Sequence, residues 1–263
     1  MAFLSSTRLT RERLIAARKR LVTTHYRAKV GHTGASLSGL DAMLVTFHDL
    51  MKTQDQFVLS KGHGAGSLYT ALWSIGRLTD ADLDTFHKDG TLLAGHPPAS
   101  GIPDIPFATG SLGHGLSLAS GTAMAWKLQE RPGRVFCLTS DGEWQEGSTW
   151  EALIFACHQG LDNLTVMIDH NGLQGFGSTS EVASMAPLWE KVCGFDADIS
   201  VIDGHDTQAI KAALEQPCGR PHLIFLKTVK GHGVSFMEGQ MAWHYLPMSD
   251  AQYETAIAEL ESA

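Results

Sequence analysis

Arg134-Val-Phe-Cys-Leu-Thr-Ser-Asp-Gly142 and Leu164-Thr-Val-Met-Ile-Asp-His-Asn-Gly172 share one pattern, an apolar run that ends in polar residues and a glycine. A run that is apolar at successive positions reads as a strand covered on both faces, the usual situation in a parallel sheet. Shorter versions are Phe57-Val-Leu-Ser60, Ser200-Val-Ile-Asp203 and His222-Leu-Ile-Phe-Leu-Lys-Thr228. Helical periods fall between them. Residues 7–30 keep Leu14, Ala17, Leu21 and Ala28 near 3.6-residue spacing, and a second helix is expected to follow Ser38 or Gly39 and run through Met51. Further helices are expected over 65–75, from an N-cap at Thr79, and over 113–129, 146–158, 206–215 and 249–261. The fold class is therefore α/β, a parallel sheet with helices on both faces.

Composition agrees. The 263 residues carry 20 basic and 28 acidic side chains, a formal charge of −8, with 43% apolar and 18% charged residues. That is too apolar for a disordered chain. The acidic balance excludes nucleic acid as the main partner, and no apolar stretch approaches the ~20 residues of a membrane span. The start shows no apolar core of a signal peptide. The four cysteines form no C-x-x-C pair, which points to reduced thiols and a cytoplasmic location. Glycine contributes 27 residues, above the usual ~7%. Six of the 13 histidines follow a glycine: His32, His63, His96, His114, His205 and His232. Gly-His is loop chemistry, a pliable backbone presenting a polar ring, and about half of the six are expected at a site. Residues 88–111 form one irregular stretch rich in Gly and Pro, a length that is usually functional.

In parallel sheets ligands bind beyond the carboxyl ends of the strands. There the sequence places Lys61-Gly-His-Gly64, Ser140-Asp-Gly142, His170-Asn-Gly172, Asp203-Gly-His205 and Lys230-Gly-His-Gly233. Asp141 and Asn171 are one strand–helix–strand unit apart, so two hard oxygen ligands stand at neighbouring strand ends. Mg²⁺ and Ca²⁺ take such ligands, and Mg²⁺ commonly shares them with phosphates. Gly142 permits close approach to a phosphate, and the helix after it offers free N–H groups. Asp-Gly and Asn-Gly are also ordinary turn dipeptides; their pairing at this spacing favours a metal–diphosphate site. There is no P-loop, and no G-x-G-x-x-G follows the first strand, which disfavours nucleotide-binding and nicotinamide-binding folds.

Asp141-Gly-Glu-Trp-Gln-Glu146-Gly with Asp169-His-Asn171-Gly resembles the thiamine diphosphate motif, Gly-Asp-Gly followed some thirty residues later by Asn. Around it stand Gly31-His-Thr-Gly-Ala-Ser36, Val58-Leu-Ser-Lys-Gly-His-Gly64, Gly95-His-Pro97, Thr109-Gly-Ser-Leu-Gly-His-Gly115, Asp203-Gly-His-Asp206 and Lys227-Thr-Val-Lys-Gly-His-Gly233. Together, from about residue 8 to 260, these resemble the diphosphate-binding half of transketolase. The resemblance implies one diphosphate-binding domain over 1–263. It implies Mg²⁺ or Ca²⁺ on Asp141, Asn171 and the Leu173 carbonyl, with His63, Gly142 and Glu143 at the cofactor. Gly110 and Leu112 would lie along the aminopyrimidine, and His32 and His96 would face the sugar as hydrogen-bonding and acid/base groups. His244 would stand near both the diphosphate and the reacting carbon. Glu146 and Glu151 match carboxylates near a subunit interface, Glu146 being the one that couples to a catalytic carboxylate across it. The implied activity is transfer of a two-carbon ketol unit from a ketose, expected to be a ketose phosphate, to an aldose, the cofactor acting as electron sink.

Several residues read otherwise. His25, His48, His158 and His222 lack a neighbouring glycine and read as packing or surface. His205 reads as a cap or loop support, His114 is open between cofactor contact and none, and the tryptophans 144, 150, 189 and 243 read as core or interface. Ser140 replaces the usual glycine, and Tyr245 would put an aromatic ring near the substrate channel. The pyrimidine-binding and C-terminal domains have no counterpart here. The resemblance therefore implies a separate subunit carrying the activating glutamate, in an α2β2 heterotetramer. Two other readings stand beside it: a related split thiamine enzyme, such as one like 1-deoxyxylulose-phosphate synthase, and a non-catalytic partner that keeps the fold.

Overall fold

A computed structural model describes residues 8–99 and 101–262. The amino-terminal segment that bears on a signal peptide lies mostly outside the described residues. Five parallel strands, β1 (Gln56–Leu59), β2 (Val135–Ser140), β3 (Leu164–His170), β6 (Asp198–Asp203) and β7 (His222–Lys227), form one sheet in the order β1-β2-β3-β7-β6. β4 (Leu173–Gln174) and β5 (Gly177–Ser178) make a small antiparallel ribbon just after β3.

Alternation along each strand sends side chains into two separate cores. Phe136, Leu138, Met167, Ile224 and Leu226 face α1 (Arg11–Ala28), α2 (Thr33–Val45), α3 (Ala65–Ser74), α9 (Thr207–Glu215) and α10 (Asp250–Ser262). Val135, Cys137, Val166, Ile168, Leu223 and Phe225 face α5 (Gly115–Leu128), α6 (Gly147–His158) and α8 (Leu188–Val192). The two remaining short helices are α4 (Asp80–Leu83) and α7 (Thr179–Ala183). Thr79 caps α4 through a reciprocal pair with Asp82. Residues 88–111 carry neither helix nor strand among the described residues. Among the described residues no helix is long and apolar enough to cross a membrane.

Three expectations need correction. The second helix begins at Thr33, before Ser38 and Gly39, and all thirteen of its residues are buried. Its run of Gly, Ala and Ser looks like loop, but small side chains are what let it pass through the interior. A Cβ on Gly34 would stand 3.2 Å from both Lys230 Cγ and Trp243 Cβ, so packing overrides propensity. The helix then widens into a π turn over Thr46–Leu50. The first helix is shorter than 7–30, because Lys29 takes the left-handed conformation and ends it. The strand through Ser200 to Asp203 is an edge strand with Val201 37% exposed, not a doubly covered one.

The histidines that lack a neighbouring glycine and read as packing or surface divide between the two. His222 is buried with its Nε2 2.8 Å from Ser200 Oγ, His48 Nε2 lies 2.9 Å from Ser74 Oγ, and His158 is exposed. His25 is 1% exposed, its Nδ1 3.0 Å from the Leu21 carbonyl, and its ring fills the space that a side chain at Gly66 would need. Burial pushes its pKa down to about 4. The unfolded chain takes up a proton there near 6.5 while the folded ring refuses it, so stability is lost as pH falls from about 6.5 toward 4. The expected loss between pH 7 and 5 from this group is about 2 kcal/mol. Urea denaturation at both pH values should show a shallower acid slope in His25→Gln than in the unsubstituted chain. Equal slopes would remove His25 from the account.

Candidate active site

A cavity of about 440 Å³ opens at the carboxyl end of the sheet. Of the sequence-predicted residues, His32, His63, His96, Gly110, Leu112, Gly142, Glu146, Asn171, Leu173 and His244 line it. Asp141, 3% exposed, stands between two residues of its wall, Ser140 and Gly142. Glu143 is placed elsewhere. The 3₁₀ turn Gly142–Gln145 rotates its side chain into the interior, where it accepts from Ser60 Oγ, from Gly113 N at 2.8 Å and from Ser140 N at 3.3 Å.

Chain turns at three helix starts build the cavity wall. His32 precedes α2, Gly62–Gly64 precedes α3, and Gly142–Gln145 precedes α6. Gly62 sits against the 109–110 backbone, where a Cβ would fall 2.6 Å from Gly110 N. His32 holds φ 64°, ψ 8°, a left-handed conformation rare for a residue with a Cβ. Its backbone N–H donates to the His244 carbonyl at 3.1 Å, and its own carbonyl accepts from Ser36 N at 2.9 Å. Ring centroids lie 5.7 Å from His32 to His63, 6.0 Å to His96 and 4.9 Å to His244, with His63 and His244 5.4 Å apart. Three of the six Gly-His pairs thus reach the cavity. Of the others, His114 is exposed at the start of α5, its Nδ1 3.1 Å from the Leu112 carbonyl, while His205 and His232 stack on each other below the wall.

Burial lowers the pKa of all four lining rings, His32 to about 4 and His244 to about 3, with neighbouring lysines and histidines adding to it. They are neutral near pH 7. Among the described residues His32, His63 and His96 make no side-chain hydrogen bond, so their ring nitrogens remain open to a ligand.

Two buried lysines back the cavity. Lys61, 1% exposed, pairs with Asp169 and donates to the Ala35 carbonyl at 2.9 Å. Ser38 at 2.6 Å and Thr228 also donate to Asp169. Burial raises Asp169, but Lys61, Ser38 and Thr228 overcome it and hold it below the ordinary carboxylate range. Lys230, also 1% exposed, lines the cavity, and its hydrogen-bond partner is His244 Nδ1 at 3.1 Å rather than a carboxylate. Burial and the nearby Lys61 lower it to about 8. The Lys230-Gly-His-Gly motif stands out in the sequence without a role for its lysine; the strand-end position is the available signal.

The oxygen donors suit a hard cation. Asp141 accepts from Gly142 N at 2.7 Å and Gly172 N at 2.5 Å, and the side-chain carbonyl of Asn171 accepts from Leu173 N at 3.0 Å. Burial and Asp169 push Asp141 up to about 7. Asp141 and Asn171 thus bring a carboxylate and an amide oxygen to adjoining positions, with Leu173 beside them in the cavity wall. The ribbon β4–β5 closes this side, with Gln174 over Gly142, where a Cβ would stand 3.0 Å from Gln174 Cβ. Tyr245 lines the cavity and donates its hydroxyl to the Gly175 carbonyl at 2.8 Å. Trp144 and Trp243 are buried and do not line it.

Removing one partner of a buried ion pair costs about 3–5 kcal/mol. Asp169→Asn, which leaves Lys61 buried without its anion, should lose that much in urea unfolding. Adding Lys61→Met should recover most of it. A loss below about 1 kcal/mol in the single variant would mean that the pair is not a structural fixture.

The sequence pattern described as "Transketolase, thiamine diphosphate binding domain" matches residues 10–260. The chain is 38% identical over 244 residues to the 6-deoxy-6-sulfo-D-fructose transketolase subunit of a Clostridium species, covering 88% of this chain and 89% of that one. It is 37% identical over 255 residues to an apulose-4-phosphate transketolase subunit from Phocaeicola vulgatus, covering 92% and 90%. The transketolase structure from Leishmania mexicana superposes with a TM-score of 0.86 at 26% identity, over 97% of this chain and 42% of that one. By sequence match and by fold, then, this chain belongs to the transketolase thiamine diphosphate-binding domain family.

Proposed function

We propose that this chain is the diphosphate-binding subunit of a two-subunit transketolase, which transfers a two-carbon ketol unit from a ketose to an aldose. The observation that carries it is the joining of an oxygen-donor set, a buried lysine without a carboxylate and four neutral histidines in one cavity at the strand ends. The Clostridium and Phocaeicola relatives are both transketolase subunits of nearly this chain's length, which favours this reading over a 1-deoxyxylulose-phosphate-synthase-like enzyme. Their names pair a sulfonated and a phosphorylated sugar with the activity, so the donor is a ketose with an anionic terminus.

In this reading Asp141, Asn171 and the Leu173 carbonyl hold Mg²⁺ or Ca²⁺, and the cation neutralises the diphosphate. His63, the Gly142 backbone and Lys230 contact the diphosphate. Gly110 and Leu112 run along the aminopyrimidine. Bound thiamine diphosphate supplies the carbon nucleophile and the electron sink. His32 and His96 orient sugar hydroxyls and exchange protons with them, which rings neutral at pH 7 can do. His244, held by Lys230, would stand near both the diphosphate and the reacting carbon. Glu143 acts from behind, fixing Ser60, Gly113 and Ser140.

The partner supplies the pyrimidine-binding domain and its activating glutamate, and Glu146 at the rim couples to that carboxylate. Exposed Phe176 (84%), Val182 and Tyr245 at the cavity lip form the apolar rim that the partner covers. The outward faces of α5 and α6, with Leu118, Leu128, Ile154 and Phe155 exposed, fit a second copy, giving α2β2. The assembly is cytoplasmic, this chain forming one diphosphate-binding domain.

Two experiments test this. The purified chain with thiamine diphosphate and Mg²⁺ should show no ketol transfer in a ketose–aldose assay, and the partner subunit should restore it; turnover by the chain alone would refute the two-subunit reading. Asp141→Ala should weaken Mg²⁺-dependent binding of thiamine diphosphate by more than about a hundredfold in calorimetry, since even supporting residues of metal sites cost 10–100-fold. Unchanged binding would refute the cation site.

A further inference from the structure

Beneath the cavity lies a cluster with no place in the proposed reaction. Asp41 on α2 is fully buried; its Oδ2 accepts from Arg18 Nη2 of α1 at 2.7 Å and pairs with His205 Nδ1 at 2.8 Å. His205 Nε2 accepts from the Val229 backbone N–H at 2.9 Å. The ring therefore carries its proton on Nδ1, with both nitrogens engaged. His232 stacks on it, centroids 3.6 Å apart and planes within 18°.

Asp41, His205 and His232 bring possible ligand atoms close together, but a cation does not fit. Arg18 and His205 share Asp41 Oδ2, and the Arg18 cation already neutralises the carboxylate although its Oδ1 has no hydrogen-bond partner; His205 has no free lone pair, and two nearly parallel stacked rings cannot both direct in-plane lone pairs at one ion. The group is a strut.

What the strut supports is the turn after β7. His205 grips it at Val229 through a hydrogen bond and at His232 through ring stacking, and Lys230 lies between those two points. The Asp203-Gly204-His205 sequence is shaped for this contact. Asp203 Oδ1 accepts from His205 N at 2.9 Å, and Gly204 leaves no room for a Cβ, which would stand 2.8 Å from Leu226 Cβ and closer still to Thr228 Cγ2. On the far side the turn is tied by Gly231 N donating to the Gly34 carbonyl at 2.9 Å. A lysine that enters a cavity wall without a carboxylate to hold it needs its backbone held instead.

We propose that His205 is a positioning residue for Lys230, setting the turn so that its ammonium group enters the diphosphate end of the cavity. This rests on the reading of Lys230 as a diphosphate contact. A double-mutant cycle tests it, read by calorimetric titration of magnesium thiamine diphosphate into the full chain. Lys230→Met should weaken binding about a hundredfold and His205→Ala about tenfold, within the range of coupled neighbours. The double variant should bind no worse than Lys230→Met, to within about twofold. His205→Asn, which keeps a donor for Asp41 but does not reach Val229, should match His205→Ala and guards against a folding defect in the latter. Losses that multiply in the double variant would overturn the proposal at His205, showing an effect that does not pass through Lys230. Unchanged binding in Lys230→Met would overturn it at Lys230, and with it that part of the diphosphate reading.

Discussion

The Lys61–Asp169 pair is the constraint on which the rest of the structure depends. It joins the end of β1 to the end of β3, takes the Ala35 carbonyl and Ser38 from α2, and takes Thr228 from the end of β7. Three parallel strand ends and one helix are thereby fixed to one buried charge. In a low-dielectric interior such a pair is tolerable only when its remaining hydrogen-bonding capacity is filled, and here both carboxylate oxygens are. The cavity walls descend from it: His63 two residues after Lys61, Asn171 two after Asp169, and Lys230 two after Thr228.

Electrostatics then divide the cavity. Its inner end holds the Lys230 ammonium together with the Asp141 and Asn171 oxygens, a donor set of both kinds that suits a cation bound together with an anion. Its middle holds uncharged imidazoles, and its lip carries the exposed apolar side chains of Phe176, Val182 and Tyr245 beside Glu146. Charge is thus concentrated at the buried inner end, and most of the exposed apolar area stands at the opening.

The parts of this arrangement that could be read in the sequence are those written in local pattern. β2 and β3 declare themselves by uninterrupted apolar runs, and Asp141 and Asn171 by standing at their ends. α2 could not be read correctly, because the small residues that let it lie inside the protein are also those that favour loops. The β4–β5 ribbon is too short for any periodicity to register. Glu143 adjoins Gly142 in sequence, yet the 3₁₀ turn between strand and helix carries it to the opposite side. Lys230 is visible as a motif, but a lysine is normally a surface residue, and nothing local reveals that Gly34 and Gly231 allow α2 to seal it in.

The left-handed backbone at His32 has a consequence for how this chain can change. A residue bearing a Cβ costs roughly 1–2 kcal/mol in that conformation, whereas glycine or asparagine adopts it readily. Position 32 therefore sets two selective forces against each other. Screening variants for thermal resistance alone would drive it toward glycine and empty one wall of the cavity, so sequences enriched for robustness at this position would be those that had given up the imidazole.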